Sequence, residues 1–426
     1  MNQFRPLAVL LGAASLALLS NPGMATLLPL KQIVAAIITP APAPPPTPLP
    51  PLAPLPPLAP LPVLGTQSNL PPPAGALVAE QVIVAADGSA VRHYLLHTPA
   101  AATGQKLPLV LVFHGYSQNA QQMANSASGQ VWRLMADNLV PDRLVMATTG
   151  PFYVAFLNGA TPARLGSGTQ AIGSWNDCDA ERVNNLSTAN DVAFAKAVVA
   201  QMGDKIDTSR VYAYGMSNGA TMVLRLGREA GDVIAAIAAI SGVDPQPVND
   251  ECVETADGVP ARRPALIVHG TADAYVPYAN SCATLPGLLA TTCRLGHAET
   301  IAAWKSKSGP TLASDAAGRV PPKAIYPKAV SARPVSVAID ATSLSCVQHL
   351  SALAFDGPSP LVVGGQLVPA TPSDVRIQDC VITGGGHLEP SVLTYAGVAV
   401  EATFGKQNND VESAVLAWQF FRRHTK

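Results

Sequence analysis

The stretch RVYAYGMSNGATM, residues 210–222, joins a short apolar strand to a helical segment through the pattern Gly-x-Ser-x-Gly. A turn this tight leaves no room for side chains beside its centre, which is why glycines flank the serine. Ser217 would then begin a helix, whose N-terminus favours developing negative charge. The pattern alone is weak, but a strand precedes it and a helix follows it, as this turn requires. We therefore predict that Ser217 is a nucleophile rather than part of a structural glycine turn.

Apolar runs on both sides of this stretch predict buried strands and helices. The expected strands are Val82–Val84, Val91–Leu96, Leu107–Phe113, Val145–Thr148, Val211–Tyr214, Ile234–Ile240, Pro264–Val268 and Val375–Thr383, with Asp87-Gly88 as a hairpin turn. Helical spacing covers 188–202, with Thr188 as a possible N-cap, and also 218–229, 298–306 and 411–423. Buried strands alternating with helices predict a mostly parallel sheet with helices on both faces.

A serine hydroxyl needs a general base to become nucleophilic, and that base in turn needs an acid to orient it. After a strand–serine–helix turn the expected chain order is serine, acid, histidine. His387 follows a strand and three glycines, which allow a sharp loop to project its imidazole towards Ser217. Asp273 is the preferred acid because it lies just beyond a buried strand, and Asp244, after the preceding strand, is the alternative.

Two backbone N–H groups are needed to stabilise an oxyanion, and Tyr116 and Asn218 are the candidates. Trp175 lies on a polar glycine-containing loop, where it either lines a substrate cleft or plugs the core. Tyr275 and Tyr278, just after the candidate acid, are further candidates for the wall of a cleft.

At these residues the chain resembles the α/β-hydrolase esterases that include polyhydroxybutyrate depolymerases, with feruloyl and acetylxylan esterases as relatives. The matching segments are VFHGYSQNA (112–120), NDVAFAKAVVAQM (190–202), RVYAYGMSNGATM (210–222), HGTADAYVPY (269–278), GGGH (384–387) and AVLAWQFFRRH (414–424). The resemblance implies the α/β-hydrolase fold and a triad of Ser217, Asp273 and His387, in agreement with the assignment made from the residues.

The chain departs from the family pattern in two places. The family usually follows its GGGH with a tryptophan and a proline, whereas here Glu389 stands at the tryptophan position and is expected to change one wall of the site. The interval from acid to histidine is also long, so residues 309–374 are expected to contain an insertion, either a lid or a surface elaboration.

The N-terminal part predicts export and a spacer. Residues 1–25 have a basic start, an apolar stretch and small residues before a cleavage site, which is typical of a signal peptide; an uncleaved membrane anchor is the alternative. Residues 26–73 read as a linker, because 16 of the 40 prolines fall in residues 40–73 and favour an extended polyproline II segment. Residues 74–426 then form the catalytic domain, in a secreted or periplasmic protein.

Six cysteines in an exported chain predict three disulfides, with 15 possible connectivities. Loop lengths favour Cys282–Cys293 and Cys346–Cys380, which leaves Cys178–Cys252; free buried thiols are the alternative. No metal-binding or phosphate-binding motif occurs in the sequence, so neither a metal nor another cofactor is expected.

A net charge of −1 with 13% charged residues argues against a nucleic-acid partner. We therefore expect an exported serine carboxylesterase that forms an acyl-enzyme and acts on a polyester or small ester. A feruloyl or acetylxylan esterase acting on plant polysaccharide is the alternative among enzymes. A non-catalytic tethered surface protein is the alternative from another class. Contact with a membrane is expected only if the N-terminal segment is uncleaved.

Overall fold

The computed structural model describes residues 70–84, 90–102, 104–139, 150–160, 173–177, 189–246, 262–279, 281–284, 291–307, 313–314, 342–350, 362–363, 366–367 and 375–426. The predicted signal peptide, nearly all of the proline-rich linker, the Asp87-Gly88 turn and the Val145–Thr148 strand lie outside these residues. Cys178 and Cys252 also lie outside them, so the domain boundaries and that disulfide stay predictions.

The strands in chain order are β1 (Ala76–Val84), β2 (Ala90–Thr98), β3 (Leu107–Phe113), β4 (Tyr153–Leu157), β5 (Ile206–Met216), β6 (Ala236–Ile240), β7 (Pro245–Gln246), β8 (Ala265–Gly270), β9 (Ser281–Thr284), β10 (Thr291–Arg294), β11 (Ala313–Ser314), β12 (Ser343–Leu350), β13 (Val362–Val363), β14 (Gln366–Leu367) and β15 (Val375–Thr383). The helices are α1 (Ala120–Asn125), α2 (Ala127–Ala136), α3 (Asp191–Met202), α4 (Asn218–Glu229), α5 (His297–Lys307), α6 (Val398–Phe404) and α7 (Ser413–Phe421).

The main sheet has the strand order β1-β2-β4-β3-β5-β6-β8-β15-β12-β11. Its six central strands, from β4 to β15, run parallel to one another, whereas β1, β2, β12 and β11 pair antiparallel to their neighbours at the two edges. The parallel centre and the helices on both faces confirm the predicted α/β-hydrolase fold. Parallel strands end at one edge of the sheet, so the loops after β3, β5, β8 and β15 converge there.

The central strands are apolar throughout because both faces of the sheet are covered. Leu109, Leu111 and Phe113 of β3 belong to one core, which also contains residues of α3, α4 and α5. Val110 and Val112 of the same strand belong to the opposite core, which contains residues of α1, α2 and α7. The alternation of side chains along one strand therefore supplies both cores.

Several expected elements take slightly different bounds. Helix α3 begins with Asn190 as its N-cap, whose side chain accepts the Ala193 N–H, so the prediction of Thr188 as the cap is wrong. Strand β4 was not predicted. Helix α4 and strands β3 and β15 have the predicted bounds.

The expected insertion contributes to the sheet. Strand β12 pairs antiparallel with β15, and Cys346 faces Cys380 in this register and forms the predicted disulfide. Cys282 and Cys293 are directly opposite in the register of β9 and β10, but their side chains are not described. Within the described residues of 309–374, strands β11 and β12 widen the sheet at its edge, and a lid is not among the elements seen. Among the described residues, the helices are too short or too polar to cross a membrane.

Candidate active site

Ser217 lies in the sharp turn between β5 and α4. Its φ of 57° and ψ of −121° put a non-glycine residue in a strained conformation, which the surrounding contacts must hold. A Cβ at Gly215 would strike the Gly219 carbonyl group, and a Cβ at Gly219 would strike the backbone of Phe113 and His114. Both glycines are therefore required by close backbone approach, as the sequence pattern predicts.

The structure brings the three predicted triad residues into one hydrogen-bonded chain. His387 Nε2 lies 2.8 Å from Ser217 Oγ, and His387 Nδ1 lies 2.7 Å from Asp273 Oδ2. The imidazole and the carboxylate are buried, while Ser217 is half-buried. Since an ionised carboxylate only accepts, Nδ1 carries the proton and Nε2 is free to accept the serine proton.

Asp273 has a second set of partners that keeps its carboxylate ionised and oriented. Its Oδ1 accepts the backbone N–H groups of Tyr275 and Val276 at 2.9 and 2.8 Å. His269 Nε2 lies 3.5 Å from Oδ2 and 2.8 Å from the Val276 carbonyl oxygen. Burial opposes ionisation, but the hydrogen bonds from His269 and His387 outweigh burial and hold the pKa of Asp273 well below its usual range.

The alternative acid, Asp244, has different partners. Its carboxylate lies 2.8 Å from Arg262 and 3.7 Å from Arg228, and all three side chains are buried. His387 hydrogen-bonds to Asp273, whereas Asp244 bonds to Arg262, so Asp244 belongs to a structural ion cluster.

The loop after β3 lies against the nucleophile. A Cβ built on Gly115 would be 3.6 Å from Ser217 Cβ, so the next residue, Tyr116, is close to the site. Among the described residues, neither the Tyr116 nor the Asn218 backbone N–H has a hydrogen-bond acceptor, whereas Ser217 N–H donates to Ile240 O. These two free donors are at the positions that the sequence suggests for an oxyanion hole.

His114 holds this loop in place. Its Nδ1 lies 2.7 Å from Gly115 O, and its Nε2 accepts the Gly159 N–H at 2.9 Å. Burial lowers the pKa of His114 to about 4, so the ring is neutral near pH 7.

Trp175 is a core residue, which corrects its assignment as a substrate-binding residue. Its side chain is 0% exposed and packs against Phe113 and His114. The indole Nε1 donates to His114 O, and the Trp175 backbone N–H donates to Asn218 Oδ1. The ring therefore supports the loop of Tyr116 from behind rather than facing a substrate.

Tyr275 is the exposed aromatic residue of the site. It is 49% exposed, and its ring centroid lies 5.4 Å from that of His387 and 5.0 Å from that of Phe404. The ring can therefore contact a substrate bound at Ser217. Tyr278 instead stacks on His297 and is half-buried.

Glu389 does not form a wall of the site, contrary to expectation. It is 8% exposed, and its carboxylate accepts hydrogen bonds from Ser128 and Tyr214, on the side of the core formed by α2 and β5. Burial raises the pKa of Glu389 against the opposing hydrogen bonds from Tyr214 and Ser128. No sequence pattern indicates that Ser128, His114 or Tyr214 supports the site. His114 and Tyr214 lie beside or in an apolar run that indicates only a core position, and Ser128 lies in a mostly polar stretch.

Part of the chain matches a known family. Residues 92–245 match the family model described as "Esterase PHB depolymerase". A curated protein described as "Putative esterase NocK", from Nocardia uniformis subsp. tsuyamanensis, is 27% identical over 342 residues, which cover 79% of this chain and 81% of that protein.

Three solved structures illustrate how distant the structural matches are. A thermostable esterase is 19% identical, with a TM-score of 0.35, over 47% of this chain and 48% of that one, so the match spans about half its length. An acetyl xylan esterase from Aspergillus awamori is 16% identical, with a TM-score of 0.32, over 47% of this chain and 74% of that one. A ferulic acid esterase from Anaeromyces mucronatus is 15% identical, with a TM-score of 0.33, over 51% of this chain and 80% of that one.

The family match and the curated relative confirm the predicted resemblance to esterases of the polyhydroxybutyrate depolymerase type and support an ester hydrolase. The TM-scores of the solved structures are too low to carry an argument about substrate.

Proposed function

We propose that the protein is a serine carboxylesterase that cleaves ester bonds through an acyl-enzyme, with Ser217, His387 and Asp273 as its catalytic residues. The observation that carries the proposal is the chain of hydrogen bonds from Ser217 Oγ through His387 to Asp273, at 2.8 and 2.7 Å. The family match over residues 92–245 supports the same chemistry.

In the first half-reaction, Ser217 Oγ attacks the ester carbonyl carbon while His387 Nε2 takes its proton. The carbonyl oxygen becomes an oxyanion, which the backbone N–H groups of Tyr116 and Asn218 are free to bind. The carbon–oxygen bond to the alcohol then breaks, and His387 gives its proton to the departing alkoxide. Ionised Asp273 stabilises the imidazolium throughout.

In the second half-reaction, water replaces the alcohol. His387 takes a proton from water, whose oxygen attacks the acyl carbon, and the bond to Ser217 Oγ breaks as His387 returns the proton to the serine. The products are the carboxylic acid and the free enzyme, so no redox partner is required.

The proposed substrate is an aliphatic polyester or a short-chain ester. Such chains are uncharged and moderately apolar, and half-exposed Tyr275 offers an aromatic contact beside His387. The description of the matched family as a PHB depolymerase favours a polyester of the poly(3-hydroxybutyrate) class. Export of the protein to where such polymers occur remains part of the proposal and rests on the apolar N-terminal sequence.

The direct test is hydrolysis of p-nitrophenyl esters of increasing acyl length by the wild type and by Ser217→Ala. The variant should lose about 10⁴- to 10⁶-fold in kcat, because its triad lacks a nucleophile. The far-ultraviolet circular dichroism spectrum should not change, because one half-buried oxygen is removed. A variant that keeps more than about a tenth of the activity would refute the mechanism.

Substrate class is tested by comparing kcat/KM for a 3-hydroxybutyrate oligomer and for methyl ferulate. The oligomer should be the better substrate, because a feruloyl group needs a slot for a planar phenol and a polar partner for its hydroxyl. A higher kcat/KM for methyl ferulate would favour the feruloyl esterase alternative and leave the serine mechanism intact.

A further inference from the structure

Glu389 and Tyr214 connect the two segments that carry the nucleophile and the base. Tyr214 precedes Ser217 by three residues on β5, and Glu389 follows His387 by two residues. The Tyr214 hydroxyl donates to Glu389 Oε1 at 2.6 Å, and both side chains are buried. This hydrogen bond therefore joins the strand of Ser217 directly to the loop of His387.

A third residue, Ser128, also bonds to Glu389, and we call the bonds of Tyr214 and Ser128 to Glu389 the anchor of the histidine loop. Ser128 of α2 donates its hydroxyl hydrogen to Glu389 Oε2 at 2.7 Å, so each carboxylate oxygen has a donor. The Glu389 backbone oxygen accepts the Tyr395 hydroxyl group at 2.7 Å. Both oxygens of the side chain are therefore held, which suits an anchor that must keep a fixed length.

The other side of the histidine loop is held by its backbone. His387 N–H donates to Phe404 O at 2.5 Å, and Gly386 N–H donates to Lys406 O at 2.9 Å. These bonds locate the loop relative to the end of α6, which is not part of the sheet. The Glu389 side chain ties the same loop to Tyr214, on the strand that leads to the nucleophile.

We propose that Glu389 is a positioning residue, whose bonds to Tyr214 and Ser128 set the distance between His387 Nε2 and Ser217 Oγ. The inference rests on the proposed serine mechanism. The Glu389 side chain accepts one hydrogen bond at each oxygen, so its position depends on Tyr214 and Ser128 as donors.

The test compares Tyr214→Phe, Glu389→Gln and Ser128→Ala, with Tyr212→Phe as the matched control. Tyr212 lies on the same strand and is also buried, but its hydroxyl donates to His424 O, away from the triad. Burst titration with p-nitrophenyl acetate counts active sites, so that kcat refers only to folded enzyme.

We expect Tyr214→Phe and Glu389→Gln to lower kcat about 10- to 100-fold with KM within about twofold, because a small displacement of a catalytic group has effects of this size. Ser128→Ala should lower kcat at least about threefold. The double variant Tyr214→Phe/Glu389→Gln should be no worse than the worse single variant, since Tyr214→Phe removes and Glu389→Gln weakens the same hydrogen bond. Tyr212→Phe should lose thermal stability but keep kcat within about twofold.

A kcat within twofold of wild type in every variant that folds, including Ser128→Ala, would overturn the inference. So would an equal loss of kcat in Tyr212→Phe, which would indicate a general packing effect. An active Ser217→Ala variant would instead refute the proposed function. The two failures are therefore distinguishable.

Discussion

At the scale of single residues, two aspartates that look alike in the sequence have opposite roles. Both follow a buried strand, but Asp273 contacts His387 at 2.7 Å while Asp244 lies 2.8 Å from Arg262. Sequence position could rank them but could not exclude either. The partner of each carboxylate decides which one can orient a histidine.

We therefore predict that replacing each aspartate with asparagine has a different effect, one on catalysis and the other on stability. Asp273→Asn should lower kcat about 10⁴-fold, because an amide cannot hold the same imidazole tautomer and leaves the imidazolium without a counter-charge. Asp244→Asn should leave kcat per active site nearly unchanged but lower the free energy of unfolding by roughly 3–5 kcal/mol, since it removes the buried negative charge that faces Arg228 and Arg262. Burst-normalised kcat and urea denaturation measure the two effects. The reverse pattern would make Asp244 the catalytic acid.

At the scale of elements, the turn between β5 and α4 depends on backbone groups that approach each other closely. The strained φ of Ser217 is kept because Ser217 N–H bonds to Ile240 O and because the flanking glycines leave room for the crossing chain. Strand β5 and helix α4 are therefore held in a fixed arrangement, with Ser217 at their junction.

Gly215→Ala should consequently be severe. The added methyl group would overlap the backbone of Gly219 and Ala220, which cannot move without displacing α4. We expect a loss of at least about 2 kcal/mol in the free energy of unfolding, or no soluble protein. Gly397→Ala is the control, because a Cβ there meets nothing within 4 Å and its φ of −78° suits any residue. Equal stability of the two variants, measured by urea denaturation, would contradict the close approach.

At the scale of the whole molecule, two buried titratable groups set the pH range of stability. Burial raises the pKa of Glu412 to about 8, with nearby Glu389 adding to the effect and the Ser391 hydroxyl opposing it. Burial lowers the pKa of His114 to about 4. Between about pH 4.5 and 6.5, Glu412 is ionised and His114 is protonated in the unfolded chain, whereas Glu412 is protonated and His114 is neutral in the folded protein. The two states therefore hold the same number of protons on these groups, and the two effects on stability cancel.

Above pH 6.5 His114 is neutral in both states, whereas Glu412 still differs between them. The folded protein keeps its proton until about pH 8 while the unfolded chain does not, so stability should fall as pH rises through this window, by about 2 kcal/mol. Glu412→Gln should remove this fall and reveal a loss of stability below pH 6.5, to which both His114 and His97 contribute, because burial lowers the pKa of each. Urea denaturation at pH 5, 6.5 and 8 measures both. An unchanged slope in Glu412→Gln would show that another group titrates.

The sequence by itself determined the architecture and the positions of the candidate nucleophile and base, Ser217 and His387. Apolar runs and helical spacing can be recognised from the sequence without tertiary information. Strands β3 and β15 and helix α4 therefore have their predicted bounds. The Gly-x-Ser-x-Gly turn and the glycines before His387 report local backbone requirements, which are properties of the chain itself.

Only the tertiary structure decided what each polar or aromatic side chain faces. Trp175 supports a loop from within the core, Glu389 points away from the triad, and strand β12 widens the sheet, although local sequence allowed other outcomes for all three. Their roles depend on partners 43 to 261 residues away in the chain, such as Asn218 for Trp175 and Ser128 for Glu389. A single sequence contains no local signal for such partners, because burial and hydrogen bonding are set by how distant segments pack.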